Sequence, residues 1–476
     1  MSLIKNGFLV FTLMTFSVAA FAQDVAKSTL DDQTSVEVTV YNSNLGLVKD
    51  VRKINLPQNS GELRFMDVAA YIIPETVHIK ELEGQGKFMV LEQNYEYDLM
   101  DPSKLMDKFV GKKIKLQDYN YYVDRKDVIE AELLSNNNNQ PIYKIKGEIH
   151  LRNNAAPILP EVPENLIAKP TLMWLYDNGE SANTVEVSYL TNNIGWKADY
   201  VFVLNKDDTM ADLSGWVTID NKSGTMYKDA SLKLVAGEVN RAQQNIYPMS
   251  KAMRMDALGG MAAEAPQFVE QGFFEYHIYD LQRPTTLKDN QTKQISLLEA
   301  KGINVAKEFL VYGVNSRYNY AYQEKIPKQP VNVNIKFDNK KENNLGMPLP
   351  AGIIRLYKED NEGSLQFIGE DRIEHTPKDE KVTVKVGEAF DIVAEIRQVD
   401  YRVITSRIHE TEWEVTLKNH KEEDVVVGVI EPVPGDWEVL SNSHPYKKVD
   451  AFTLRFDVPV KKDEEVKVNY RIRVTW

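Results

Sequence analysis

Apolar side chains recur at every second position along most of this chain. Val36, Val38 and Val40 do so before a polar turn over 42–46, and Val185, Val187 and Tyr189 do so before Asn192 and Asn193. Val331, Val333, Ile335 and Phe337 alternate with Asn332, Asn334 and Lys336. Period-two runs bounded by Asn, Gly and Pro predict strands that bury one face. Runs of the same character lie at 47–56, 62–68, 76–82, 112–116, 121–123, 128–134, 142–151, 200–204, 216–219, 232–236, 353–357, 382–386, 413–417, 425–430 and 452–458. One stretch reads differently. Asp101 can cap a helix, Pro102 suits its first turn, Leu105, Met106 and Phe109 share one face, and Gly111 suits the exit. A single short helix is predicted there, next to strands that make a small barrel-like module.

Several residues carry more specific expectations. Trp196 and Trp216 each follow a Gly, and rings of that size are expected to fill the space between two packed sheets. Gly46 is expected to serve a turn that needs positive φ. Pro157, Pro160, Pro163 and Pro170 predict an extended linker. Strands end at Asp220-Asn221-Lys222, Asp338-Asn339-Lys340 and Lys418-Asn419-His420, and each such turn is expected to close a hairpin in a similar antiparallel sandwich. The run from Val466 to Trp476 also has the look of a closing outer-membrane strand. The short, irregular strands before it favour the last strand of a sandwich. The expected fold is all-β: tandem antiparallel, immunoglobulin-like β-sandwich domains with the small barrel-like module inserted and little helix. The expected organisation is a signal peptide at 1–22, an N-terminal β domain at 23–90, the small module at 91–152, the linker at 153–170, a β-sandwich at 171–325 and a C-terminal β-sandwich at 326–476.

The compartment follows from the first residues. Lys5 precedes an apolar run over 8–20 and the small-x-small signal Ala20-Phe21-Ala22, so cleavage is expected between Ala22 and Gln23. The run is short for a membrane span, and no later apolar run reaches that length. The chain is expected in the periplasm or cell envelope. It has no Cys, which removes disulfides, thiolate metal sites and cysteine nucleophiles. Its net charge is −13, falling to −14 once Lys5 is lost with the leader. That balance disfavours nucleic acid and anionic lipid and favours solubility. The sequence names no partner; another envelope protein and a glycan are the open candidates.

Familiar catalytic strings are missing: there is no G-x-S-x-G, H-E-x-x-H, Walker loop or G-x-G-x-x-G. The seven His, at 78, 150, 277, 375, 409, 420 and 444, do not pair at ligand spacing. The densest polar cluster spans 370–380, where Glu370, Asp371, Glu374, His375, Asp379 and Glu380 offer carboxylate or metal-dependent hydrolysis as the alternative function. A solvated turn broken by Pro377 accounts for the same residues. Met249, Met253, Met255 and Met261 in a methionine-rich loop over 242–268 could capture copper(I), or serve as filler in a low-complexity loop. No catalytic, cofactor-binding or metal-ligating residue is assigned, and no cofactor is expected.

Six strings in order, YLTNNIGWKADY, WVTIDNKSGTMYKDASLKLVAGEVNR, EYHIYDLQRPTTLKDNQTKQISLL, GMPLPAGIIRLYKED, FIGEDRIEHTPKDE and EPVPGDWEVL, resemble the domain of unknown function 4139 family of exported bacterial proteins, over about 172–476. YNSNLGLVKDVRKINLP and DPSKLMDKFVGKKIKL are similar to the amino-terminal part of its longer members. Related mucoidy-inhibitor-like proteins carry a coiled coil in that half; none is visible in this chain. The resemblance implies a β-rich exported protein and supplies no catalytic residues. The function expected is a non-catalytic binding or structural module.

Overall fold

The computed structural model describes residues 25–82, 88–96, 101–120, 125–151, 153–161, 169–178, 182–237, 239–241, 267–313, 318, 320–322, 326 and 328–476. The leader with Ala22 and Gln23, the strand expected at 121–123, the methionines of 242–266 and part of the expected linker lie outside these residues. The chain forms two compact units. One runs up to Val36 and resumes over Lys49–Tyr189; the other combines Glu37–Val48 with Leu190–Trp476.

In the first unit, Gly61–Met66 pairs in parallel with Val25–Ser28 and antiparallel with Thr171–Asn178, which also pairs with Phe88–Glu96. Leu63, Phe65, Leu172, Trp174 and Tyr176 alternate along these strands and are fully buried. The small module is a five-stranded antiparallel sheet with Lys113–Asn120 and Arg125–Ser135 near its centre. Its two edge strands, Glu148–His150 and Ala156–Ile158, do not pair with each other, so the sheet is open. Helix Pro102–Lys108 supplies Met106 to its core. The Asp101 carboxylate accepts from the Ser103 and Lys104 amides, and Gly111 leaves at φ 82°, as the capping pattern requires. Pro157, expected in a linker, stands instead in the Ala156–Ile158 strand. An edge strand tolerates proline because one side of its backbone makes no ladder bond.

The second unit holds two sandwiches. In the first, Gln291–Asn304, Met210–Asn221, Ile194–Leu204, Gly352–Glu359 and Leu365–Ile373 form one sheet. The facing sheet includes Tyr227–Ala236, paired in parallel with residues 37–41. Trp196 bridges the layers, donating from Nε1 to the Val235 carbonyl and meeting the Tyr279 ring edge-on. In the second sandwich, Ile392–Thr405, Ile408–Asn419, Glu465–Thr475 and Asp436–Asn442 face a sheet containing Ala306–Tyr312, Val425–Pro432 and Thr453–Val460, over a core of Trp413, Val415, Val427, Phe456 and Tyr470. No sheet among the described residues closes into a barrel.

The second sandwich repeats a set of strands of the first in the same order. Ile194 and Ile392, Met210 and Ile408, and Tyr227 and Val425 begin corresponding strands at one constant offset. Met210–Asn221 pairs with Gln291–Asn304 as Ile408–Asn419 pairs with Glu465–Thr475. Tyr227–Ala236 takes residues 37–41 as its parallel neighbour where Val425–Pro432 takes Ala306–Tyr312, and Thr285–Leu287 as antiparallel neighbour where Val425–Pro432 takes Thr453–Val460.

The three Asn turns support this repeat, but they do not close hairpins. Each carries the chain out of one sheet and into another, and its side chain takes over the backbone groups left behind. Asn221 Nδ2 donates to the carbonyls of Thr225, Leu287 and Lys288; Asn419 Nδ2 donates to those of Glu423, Val460 and Lys461. Their Oδ1 atoms accept from the Ser223 and Lys421 amides. Asn339 does the same work with Met347, Pro377 and Gly346. All three are buried, where an unpartnered backbone group is costly. Gly46 is not at positive φ; Asn44 takes that conformation at 56°. Gly46 instead allows a close approach, because a Cβ there would stand 2.6 Å from the Ile194 side chain.

Candidate binding face

The acidic and His segment nominated for hydrolysis does not gather into a cleft. Glu370, Asp371 and Arg372 lie within the Leu365–Ile373 strand, while Glu374, His375 and residues 377–380 are exposed. Asp371 accepts from the Lys385 amide, His375 Nδ1 accepts from the Ala351 amide, and Pro377 gives its carbonyl to Asn339. These bonds make 374–380 a solvated turn that supports a buried corner. Glu370 alone reaches a polar cluster, through its 3.2 Å ion pair with Arg355.

That cluster lies on the outward face of the Met210–Asn221 sheet. Ala211, Leu213, Gly215, Val217 and Ile219 are buried, so Asp212, Ser214, Trp216 and Thr218 share the opposite face. Trp216 is therefore not between the layers, as expected, but half-buried on the outside, opposite Asp199 on one neighbouring strand and Ser296 on the other. Thr218 Oγ1 donates to Asp199 Oδ2 at 3.0 Å and accepts from Gln294 Nε2 at 3.2 Å. Arg355 Nη1 donates to Asp199 Oδ1 at 3.1 Å, and Lys197 stands 3.8 Å from Asp199. Two cations thus balance two carboxylates on the strands beside the one that carries Trp216. All these side chains stand on strands, which fix their spacing.

Four residues along the strand from Trp216, about 13 Å at the rise of an extended chain, Asp212 enters a cleft of about 580 Å³ whose lining also includes Asn205, Lys206, Lys358, Glu359 and Asp360. Its rim is braced by Asp208, at φ 55°, whose carboxylate accepts from Lys307 and Lys358. Burial favours the neutral carboxyl, but the two lysine bonds outweigh it and hold Asp208 below the usual carboxylate range. A depressed folded pKa gives stabilisation that is complete above about pH 4 and is lost as pH falls through the folded value. Asp208→Ala is expected to cost about 1 kcal/mol at neutral pH, the scale of a partly exposed ion pair, and distinctly less in acid. Denaturant midpoints at the two pH values check this; an equal loss at both would contradict it.

The corresponding face of the second sandwich has different chemistry. At the positions equivalent to Asp212, Ser214 and Trp216 stand Glu410, Glu412 and Glu414. Arg473 binds Glu410 at 2.8 Å, Arg471 binds Glu412 at 2.6 Å and Asp400 at 2.7 Å, and Arg397 binds Glu414 at 2.9 Å. The Arg471 guanidinium holds the Asp400 carboxyl below its ordinary range. Neighbouring strands therefore satisfy these charges with one another. Sequence reasoning missed both faces, although the odd-numbered apolar run from Ala211 to Ile219 places Trp216 on the polar side. A family model described as Domain of unknown function (DUF4139) matches residues 185–476, more than half of the chain and all of the second sandwich. No curated protein matches the chain.

Proposed function

The chain belongs to the DUF4139 family, and from that premise we propose that it is a non-catalytic binding or structural module of the bacterial cell envelope, exported and then cut between Ala22 and Gln23. The observation that carries the reading is the Trp216 face. Its aromatic, hydroxyl, amide and charged groups are pre-set by strands, the arrangement suited to holding a ligand without reacting with it. Export is supported by the basic, apolar and small-x-small order of the leader.

The mature protein recovered from a periplasmic extract is expected to begin at Gln23 by mass. Replacing Ala20 and Ala22 with bulky residues is expected to leave the precursor uncut, since the peptidase accepts small side chains there. Recovery of the full-length chain from the cytosol would overturn export. Against a broad hydrolase panel no turnover is expected; turnover abolished by Glu374→Ala or His375→Ala would overturn the non-catalytic reading.

A further inference from the structure

We infer that the outward face around Trp216, continued into the cleft beside Asp212, binds a neutral oligosaccharide laid along the Met210–Asn221 strand. This inference deepens the binding role proposed above and rests on it. An indole ring offers a flat apolar surface to the C–H face of a pyranose, while hydroxyl, amide and carboxylate groups around it exchange hydrogen bonds with sugar hydroxyls. Trp216 is half-buried and ringed by Ser214, Ser296, Thr218, Gln294 and Asp199, a set of donors and acceptors with one aromatic platform at its centre.

Charge selects among ligands. Arg355 lies between Asp199 and Glu370, so these two carboxylates are paired before any ligand arrives. The chain as a whole carries −13. A polyanion meets repulsion there, while the cleft sets the carboxylates of Asp212, Glu359 and Asp360 beside Lys206 and Lys358; a neutral polyol can exchange hydrogen bonds with groups of both signs. The length also fits. The cleft's 580 Å³ is within the range of small-ligand sites, about 300 to 1,000 Å³, and the approach from Trp216 adds about 13 Å of strand, enough for a chain of several sugar rings.

The internal repeat supplies a control. The same three outward positions hold Glu410, Glu412 and Glu414 in the second sandwich, and arginines on adjacent strands hold all three. The repeated scaffold alone therefore does not require an aromatic ring or hydroxyls at these places. Their presence on the first sandwich is a feature of that face.

The test is native affinity electrophoresis of the mature protein in gels containing a neutral glucan, mannan, xylan or galactan. At least one polysaccharide is expected to retard the protein, and Trp216→Ala is expected to raise the apparent Kd by about tenfold or more. Ser214→Arg, which adds bulk beside the ring without removing packing, is expected to produce a similar loss, and circular dichroism verifies the fold of both variants. Glu414→Ala is expected to leave Kd within about twofold, as a surface change away from the site. Retardation by none of the four, or retardation unchanged in both face variants, overturns the glycan assignment. If a photocrosslinker at residue 214 then captures a protein, the binding role stands and its ligand is a polypeptide. Degradation of the retaining polysaccharide would instead overturn the non-catalytic reading.

Discussion

Asn419→Ala is expected to destabilise the C-terminal sandwich by about 3 kcal/mol, a loss usually associated with a large core truncation. The side chain is small, so lost apolar area explains little of it. The cost arises because Asn419 Nδ2 donates to three carbonyls and Oδ1 accepts one amide, at a buried corner where water cannot substitute. Each backbone group left without a partner costs about 1 to 3 kcal/mol, partly relieved by local relaxation. Asn419→Asp sharpens the test. It keeps the volume but replaces the donor with an acceptor facing the carbonyls of Glu423, Val460 and Lys461, so it is expected to cost at least as much as alanine at neutral pH. Asn221 has the same arrangement in the first sandwich, and its substitutions are expected to have matching effects there. Chemical denaturation followed by tryptophan fluorescence measures both. A tolerated Asn419→Asp would show that the hydrogen bonds do not hold the corner.

How much of this was legible in the sequence depends on where the apolar residues point. Alternation such as Val333, Ile335 and Phe337 marks strands well, because burying one face of a pleated ribbon requires it, and the helix at Pro102–Lys108 followed from its cap and first-turn proline. Pairing was harder to read. The turn at Asn221 resembles a hairpin locally, yet Tyr227–Ala236 finds its parallel neighbour in residues 37–41, far away in the chain. Nothing local encodes that choice. Trp216 was misplaced because size and apolarity were weighed above parity; counting from Ala211 puts it outside. At 370–380 the sequence offered many ionisable groups but no geometry, and strand direction left only Glu370 near a cluster.

The repeat sets the Trp216 face apart. Duplicating a sandwich reproduces the corners that hold it, which is why Asn221 and Asn419 make the same bonds. Outward positions are not tied to the fold in this way, so they can differ. One copy has cross-strand arginine–glutamate pairs there; the other has Trp216 beside hydroxyls and a balanced ion cluster. The buried core and the divergent outward side chains thus occupy opposite faces of the same strands, at odd and even positions.

The second large effect is expected in the other unit. Along Leu45–Leu56 the inward positions include two charged residues, Asp50 and Arg52, both buried, where alternation alone would put apolar side chains. Arg52 donates from Nε and Nη2 to Asp50 Oδ2 at 3.1 and 2.7 Å, and from Nη1 to the Ser28 carbonyl; its guanidinium carbon stands 3.6 Å from the Phe65 ring centre. Gln33 Nε2 donates to the other carboxylate oxygen at 2.9 Å. Arg52→Met removes the cation but leaves the carboxylate out of water with Gln33 as its remaining side-chain donor here, so the expected cost is about 3 to 5 kcal/mol. Arg52→Lys should recover only part of it, because a point charge cannot bind one oxygen from two nitrogens while lying flat on Phe65. The double variant Asp50→Leu/Arg52→Met removes both charges and is expected to lie within about 1 kcal/mol of the natural protein, since desolvating a buried pair cancels much of its attraction. A double-mutant cycle on the unfolding free energy measures the coupling between the two residues. Additive losses, with the double variant weaker than either single one, would show that the two residues act through packing and not as an ion pair.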